Sequence, residues 1–590
     1  MEENKSIGQR IGEMSNRLSS RFSLKSIVDI NEQPLFRMPN YMYRMKYWLG
    51  AMVAAAFMFE IITGLFLLLN YYPSSPYSET IYLINYIPFG EAILFSHFYG
   101  AYFMIILIYL HLFRNYFDGA YKKPRQLLWV VGLIMFALTL GVAFTGYSLP
   151  ADILGVDADG VGQGILNGFP HGNILSVIIF GNGTQLDMYT KLLAWHVILT
   201  ALIGVFLVIH FLLFEQAGVL PSKRVKSTVP AIYPKETWSS FNPWWPRNFV
   251  YTLMLLTFVW GLILIVPNVL ANLNGVPFLF QPAPAPSPSS PLAASIPAFP
   301  PWFFLFLYKG IDFFMPNGAP YNPAYISLLV AGIPALYLLV LPWLDRSKET
   351  LLHRRALWGG IGILLITYLV QMSVWAYVAP GVPEPFSVQV GIMLPPLIVA
   401  FLCVYAIPKL LERSMPLQFT PVTVAMLAVL VLTIVGTVAS MKQEPIVYAI
   451  GVLLPIILTT GLFWASITET RDVKLTAEMD SRSKKASKSS RGNRIDQNFP
   501  LVFMAILFLL ALGILGILVR FPVVGQPSTY WGIGTGIILL MFSYALRLWD
   551  YMAYPQEYDE IEMDKLMAQH GKSLVAGGSE DSASDSMLVK

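Results

Sequence analysis

Two apolar stretches decide the fold of this chain: HFYGAYFMIILIYLH at 97–111 and HVILTALIGVFLVIH at 196–210. Each begins and ends with a histidine, so His97 and His111, like His196 and His210, are 14 positions apart. An α-helix advances about 1.5 Å and about 100° per residue, so 14 residues span roughly 21 Å and return to nearly the same face. Two such helices side by side would hold two stacked haems, with one imidazole on each side of each iron.

The composition around these stretches is that of a membrane protein. The chain has 590 residues, of which 55% are hydrophobic and only 13% charged, whereas soluble domains carry about 25% charged residues. Many of its apolar runs approach the roughly 20 residues that cross a bilayer. We therefore predict an all-α polytopic membrane protein with about twelve transmembrane helices, a four-helix dihaem bundle and further C-terminal helices. The twelve predicted spans centre on 46–70, 92–114, 127–149, 190–213, 248–270, 323–343, 358–379, 388–409, 420–440, 446–466, 500–519 and 530–549.

The basic residues indicate the orientation. Lys and Arg concentrate in the N-terminal arm and in alternate loops, whereas the loops at 71–91 and 150–188 contain neither. Because cytoplasmic loops carry the excess of Lys and Arg, both termini are predicted to be cytoplasmic. The predicted organisation is a cytoplasmic arm (1–45), a dihaem bundle (46–220), a second helical part with an outer quinol-site loop (240–412), four additional helices (415–550) with a cytoplasmic linker (471–498), and a cytoplasmic tail (551–590).

This orientation assigns the four histidines to two levels. The spans at 92–114 and 190–213 both run from outside to inside, so His97 and His196 share an outer level and His111 and His210 an inner one. Haem iron is the metal we expect at both levels. The alternative is that these histidines form hydrogen bonds between helices without a cofactor.

Glycines on the flanking spans repeat the same period. Gly50 and Gly64 are 14 positions apart in the first span, and Gly132 and Gly146 are 14 apart in the third. A glycine at each level would leave room for a porphyrin, although close helix packing also favours small residues.

Three stretches carry a resemblance to a known family: HLFRNYFDGAYKKPR at 111–125, FTGYSLP at 144–150 and HFLLFEQAG at 210–218. They resemble cytochrome b, the quinol-oxidising membrane subunit of cytochrome bc complexes. The resemblance covers roughly residues 40–410 and leaves out the last four predicted helices.

The resemblance implies an electron-transfer subunit in a prokaryotic plasma membrane. It implies two b-type haems, quinol as substrate, a Rieske iron–sulfur partner and a downstream cytochrome or terminal oxidase subunit, with membrane lipid around the helices and no nucleic acid. A homodimer is left open, as is another haem type in an archaeal quinol oxidase assembly, because bis-histidine ligation does not identify the porphyrin. The family pattern matches an outer quinol site at Tyr147, Pro150, Trp302 and Tyr308, and a residue near the inner haem propionates at Arg114.

One departure from the family concerns the proton path. Many members carry a glutamate where this chain has Pro301, and proline cannot accept a proton. Asp152 and Glu60 are the candidate replacements, because a buried carboxylate with a raised pKa suits proton transfer. A solvated loop acid and a structural hydrogen bond, respectively, are the alternatives for these two residues.

Two other functions stay open at this point. A twelve-helix secondary transporter would show inverted repeats and broken helices, and no clear sign of either is present. A haem-binding anchor subunit of a terminal quinol oxidase, without its own quinol site, would agree with Pro301.

Overall fold

The structure, a computed structural model, describes residues 37–221, 228–311, 323–378 and 498–554, together with a few isolated positions. Within these ranges the chain is helical and contains two isolated β-bridges but no strand. Its α-helices are α1 Leu49–Leu68, α2 Pro76–Tyr86, α3 Gly90–Asp118, α4 Gln126–Ser148, α5 Ile153–Asn167, α6 Gly172–Phe180, α7 Gln185–Ala217, α8 Phe249–Leu270, α9 Leu305–Ile311, α10 Pro323–Ser327, α11 Ile333–Leu344, α12 Ala356–Val378, α13 Asn498–Leu518 and α14 Ser528–Ala553.

The predicted all-α polytopic fold is confirmed. In the described ranges, nine helices are long and apolar enough to cross a membrane, and they correspond to nine of the twelve predicted spans. The other three, at 388–409, 420–440 and 446–466, lie outside the described residues. So do nearly all of the predicted linker, most of the N-terminal arm and most of the C-terminal tail.

The first four spanning helices form two close pairs, α1 with α3 and α4 with α7. Small residues allow the close approach, as expected between apolar helices. Gly100 of α3 lies against the carboxylate of Glu60, and Gly141 of α4 lies against Leu199 of α7. The two pairs approach each other much less closely, mainly along α3 and α4.

The outer loops at 71–91 and 150–188, which the sequence presented only as connections, contain three short helices. Proline at the first position begins α2, where the missing N–H is not needed. Asp152 caps α5 by accepting a hydrogen bond from the backbone N–H of Gly155 at 2.8 Å. These helices form one end of the protein, which is called the outer end after its predicted orientation.

The last described helix packs closely against the rest of the protein. Helix α14 packs along most of α8, and Gly261 of α8 faces Gly536 of α14 so closely that a Cβ on either would meet the other's carbonyl oxygen. Near the other end of α14, Asp550 forms a buried ion pair with Arg247, just before α8 begins, with an Nε–Oδ1 distance of 3.0 Å.

A buried polar network connects two loops at the opposite end of the protein, the inner end of the predicted orientation. Asp345 accepts a hydrogen bond from Tyr121 at 2.6 Å and forms ion pairs with Lys122 at 2.9 Å and Arg355 at 3.3 Å. Burial alone would raise the pKa of Asp345, but hydrogen bonds from Tyr121, Ser347 and Lys122 lower it below its usual range. The loop after α3 is thereby fastened to the loop after α11.

Candidate functional site

The outer level consists of two imidazoles that face each other across the bundle. The ring centroids of His97 on α3 and His196 on α7 are 6.4 Å apart, and the ring planes are inclined at 68°. Two imidazoles that bind one metal from opposite sides, each with its nitrogen about 2 Å away, have centroids about 6 Å apart. The observed separation therefore fits a bis-histidine haem.

The hydrogen bonds of these two rings leave one nitrogen of each ring for a metal. The Thr63 hydroxyl donates to the Phe59 carbonyl, so it accepts from Nδ1 of His97, at 2.9 Å. On α7, Nδ1 of His196 donates to the Val142 carbonyl at 3.0 Å, with the Thr145 hydroxyl at 3.3 Å. Because Nδ1 carries the proton in both rings, Nε2 keeps a free lone pair, which is the tautomer of a metal-ligating histidine.

The inner level is formed by the other two histidines of the same two helices. His111 on α3 interacts electrostatically with His210 on α7. Asn115, one helical turn further on, has its amide nitrogen 3.2 Å from Nε2 of His111 and is itself contacted by Arg114 at 3.1 Å. Arg114 also forms an ion pair with Asp118 at 2.7 Å, so the predicted propionate-binding cation lies at the inner end of α3 near His111.

Each of the four predicted glycines faces one of the four imidazoles. A Cβ at Gly50, Gly64 or Gly132 would lie 3.2 Å from Cε1 of His111, His97 or His210, respectively, and a Cβ at Gly146 would lie 2.7 Å from Cε1 of His196. The glycines therefore make room directly for the imidazoles. They lie at the two levels that the 14-residue period predicted.

Glu60 lies beside the outer histidine. Its Oε2 atom is 3.1 Å from Nδ1 of His97, and its side chain is 11% exposed. A carboxylate in contact with the distal ring nitrogen of a metal-ligating histidine orients the ring and raises its basicity. This contact favours a role in holding His97 rather than in accepting a proton from quinol.

A cavity of about 100 Å³ lies beside α5 on the outer side of the bundle. Of the residues predicted for the outer quinol site, Tyr308 lines this cavity. Pro300 and Pro301 of the preceding loop line it as well. Most of the lining is apolar. The lining residues are Phe144, Asp157, Ala158, Val161, Gly162, Ile165, Ala298, Phe299, Pro300, Pro301, Phe304, Leu307 and Tyr308.

The other residues that the family pattern matched to the quinol site, Tyr147, Pro150 and Trp302, do not line the cavity. The Tyr147 hydroxyl donates to the Phe299 carbonyl at 2.9 Å and so fixes one wall. Trp302 packs edge-on against Tyr102, with ring centroids 6.1 Å apart. Pro150 lies in the turn between α4 and α5.

Asp152 has a structural role, because both of its carboxylate oxygens accept hydrogen bonds from the backbone. Its Oδ1 accepts from the N–H of Gly155 at 2.8 Å, and its Oδ2 accepts from the N–H of Ala285 at 2.7 Å. Burial raises the pKa of Asp152, while these backbone hydrogen bonds act in the opposite direction. Asp152 therefore fastens α5 to the loop before α9, and it does not line the cavity.

Some residues at the site were not predicted from the sequence. They are Thr63 and Thr145 beside the outer histidines, Asn115 beside His111, and Asp157 in the cavity wall. The threonines had a readable signal, because a Thr-Gly doublet occurs at both outer-level glycines. Asp157 had none, because only the folding of α5 shows which acids of the 150–188 loop face the cavity.

A bundle of apolar helices with histidine pairs at two depths defines an integral-membrane cytochrome. The family described as cytochrome b (N-terminal)/b6/petB matches residues 102–288. The chain is also 42% identical, over 561 residues, to a cytochrome b of Sulfolobus acidocaldarius, an alignment that covers 91% of this chain and 98% of that one. The chain belongs to the cytochrome b family and is a multi-pass membrane protein.

Shorter relatives match only part of the chain. Cytochrome b6 of Heliobacterium mobile is 33% identical and covers 33% of this chain and 92% of its own length. The menaquinol:cytochrome c reductase cytochrome b subunit of Bacillus subtilis is 33% identical and covers 29% and 80%, respectively. A solved hyperthermophilic respiratory Complex III chain aligns with a TM-score of 0.44 at 18% identity, covering 77% of this chain and 98% of that one. The Sulfolobus alignment extends well beyond the range 40–410, so the similarity to the family is longer than the sequence motifs indicated.

Proposed function

We propose that this cytochrome b oxidises membrane quinol at the outer cavity, passing one electron inward through two bis-histidine haems and the other to a Rieske-type iron–sulfur partner. The observation that carries the proposal is the outer imidazole pair, with centroids 6.4 Å apart and both Nδ1 atoms engaged in hydrogen bonds. The relative from Bacillus subtilis, named as part of a menaquinol:cytochrome c reductase, supports the assignment of quinol as substrate.

The residues that would hold the haems follow from the two levels. His97 and His196 would hold the outer haem, and His111 and His210 would hold the inner one. When bound, each haem supplies a centre that takes up and releases single electrons inside the membrane. The hydrogen bonds to Thr63 and the Val142 carbonyl hold the outer imidazoles in the ligating tautomer. Arg114 offers a cation for a propionate at the inner end.

The cavity suits the substrate. Its apolar walls offer packing surface for an uncharged ring, and Asp157 and Tyr308 offer polar groups for the quinol hydroxyls. Tyr147, through its bond to the Phe299 carbonyl, holds the loop that carries Pro300 and Pro301 against the cavity.

The remaining components belong to partners. The sequence has one cysteine, Cys403, so a cysteine-ligated iron–sulfur cluster has to reside on another subunit. A downstream cytochrome or terminal oxidase subunit would receive the electron from that cluster. The basic loops favour cytoplasmic termini in a prokaryotic plasma membrane, with the cavity on the opposite side.

A spectroscopic experiment tests the proposal. The complex, purified from membranes, should show two potentiometrically distinct haem components that added quinol reduces. His196→Ala should remove the outer component and leave the inner one. A protein without any haem band would refute the haem assignment, whereas a haem protein that quinol fails to reduce would leave the haems and exclude the quinol site.

A further inference from the structure

Quinol oxidation needs a proton acceptor in the cavity, because each quinol releases two protons along with its two electrons. The prolines of the cavity loop, Pro300 and Pro301, have no titratable group. Among the described residues that line the cavity, only Asp157 and Tyr308 carry an ionisable side chain. At neutral pH a carboxylate is a stronger base than a neutral phenol, so Asp157 is the better proton acceptor of the two.

The fold explains why this carboxylate faces the cavity. The cap at Asp152 fixes the first turn of α5, and from there Asp157, Val161 and Ile165 follow at helical spacing along the cavity side. Gly162, on the same side, lies against the rings of Phe144 and Phe180 and lets α5 approach closely. Asp157 is half-buried, so it can face the cavity and still reach outer water.

The other acids considered for this role do not line the cavity. Glu60 contacts His97, and both oxygens of Asp152 accept backbone N–H groups. Asp159, two residues after Asp157, is 2% exposed, is absent from the cavity lining and interacts electrostatically with Tyr71 and Tyr189. None of these carboxylates competes with Asp157 for a quinol hydroxyl.

We propose that Asp157 accepts the proton that a quinol hydroxyl loses in the outer cavity, a role that rests on the quinol oxidation proposed above. The hydroxyl O–H bond breaks, and a new O–H bond forms to a carboxylate oxygen of Asp157. The electrons leave for the one-electron acceptors of the complex, the iron–sulfur partner and the outer haem. The neutral carboxyl group then releases its proton to the outer water, regains its charge and accepts the second proton of the quinol in the same way.

The surroundings of Asp157 suit this exchange. Burial raises the pKa of Asp157 above its usual range, and a base is most effective when its pKa approaches the working pH. The groups that face it are Asp152 at the start of its own helix, Tyr147 on α4 and Tyr308 on α9. No basic side chain lines the described cavity to lower this pKa.

The test compares Asp157→Asn with Asp159→Asn in the purified complex. The rate of haem reduction by duroquinol is followed in stopped flow at saturating quinol and across a range of pH. Asp157→Asn should slow reduction by about 10²-fold, the lower end for loss of a general base, and should remove the acid limb of the pH profile. Asp159→Asn should stay within about twofold of the wild type, because its carboxylate does not face the cavity.

The outcomes separate the two proposals. If wild-type haems are not reduced by duroquinol, the quinol site itself is wrong. If wild type and Asp157→Asn are reduced equally fast with the same pH profile, Asp157 is not the acceptor although the quinol site stands. Should Asp157→Asn fail to assemble, Asp157→Glu decides: a carboxyl moved by one methylene should change the rate and shift the acid limb, and an unchanged profile would overturn the proposal.

Discussion

Replacing Glu60 by glutamine should raise the reduction potential of the outer haem without removing it. The carboxylate contacts Nδ1 of His97 at 3.1 Å, and the amide that replaces it has the same shape but no charge. Oxidised iron carries one more positive charge than reduced iron. An anion in contact with an imidazole that would ligate the iron therefore stabilises the oxidised state and lowers the potential.

The size of the shift is estimated from the difference between a charged and a neutral polar contact. A bond to a charged partner contributes about 1.5–3 kcal/mol, and a bond between neutral groups contributes about 0.5–1.5 kcal/mol. The exchange therefore removes about 1–1.5 kcal/mol from the oxidised state. Since a tenfold change in a one-electron equilibrium, about 1.4 kcal/mol, corresponds to about 59 mV, the potential should rise by about 40–65 mV.

A redox titration of the purified complex, monitored by haem absorbance, measures this shift. The inner haem serves as the internal control, because Glu60 contacts the outer histidine His97. Thr63→Val, which removes a neutral hydrogen bond to the same ring atom, should shift the outer potential by less than Glu60→Gln does. A potential that stays unchanged, falls, or moves equally at both levels would refute an anionic Glu60 beside the ligand.

Three further predictions concern the glycines, the cap of α5 and the inner network. Gly146→Val, which puts a Cβ 2.7 Å from Cε1 of His196, should remove the outer haem and roughly halve the haem content per protein in a pyridine haemochrome assay. Asp152→Ala should lower the unfolding free energy by about 1–3 kcal/mol, seen as an earlier thermal unfolding of the purified protein, because two backbone N–H groups lose their acceptor. The pKa of Asp345 is lower in the folded protein than in the unfolded chain, where it is about 3.9. Its ionised form therefore contributes stability above that unfolded pKa, and this stability is lost as the pH falls through the folded pKa. Below about pH 4, the unfolding temperature should fall less in Asp345→Asn than in the wild type.

The sequence predicted the spanning helices because their signal is local. Runs of about 20 apolar residues have no other stable environment than a membrane or a core, so nine described spans fell close to their predicted positions. The short helices α5 and α6 carried no such signal. Their formation depends on tertiary contacts such as the bond from Ala285 to Asp152, which joins residues 133 positions apart.

The histidine pairs were readable for a similar reason, since a 14-residue interval on one helix fixes two side chains on one face. What surrounds each imidazole was not readable. Whether Thr63 and Glu60 reach His97 depends on the register between α1 and α3, which the packing of Glu60 against Gly100 fixes. Periodicity within one helix carries no information about the register between two.

The two outer histidines differ in the group that contacts Nδ1. This difference separates two roles, holding the haem and setting its reduction potential. Thr63 and Thr145 play the same part on the two sides, each one residue before a glycine that faces the ring. Beyond that shared pattern, Nδ1 of His196 has a backbone carbonyl and Nδ1 of His97 has a carboxylate. A neutral carbonyl is sufficient to fix the tautomer, so the charge of Glu60 is not required for ligation. Its effect has to appear in the potential, which is why a titration, and not haem content, distinguishes the two roles.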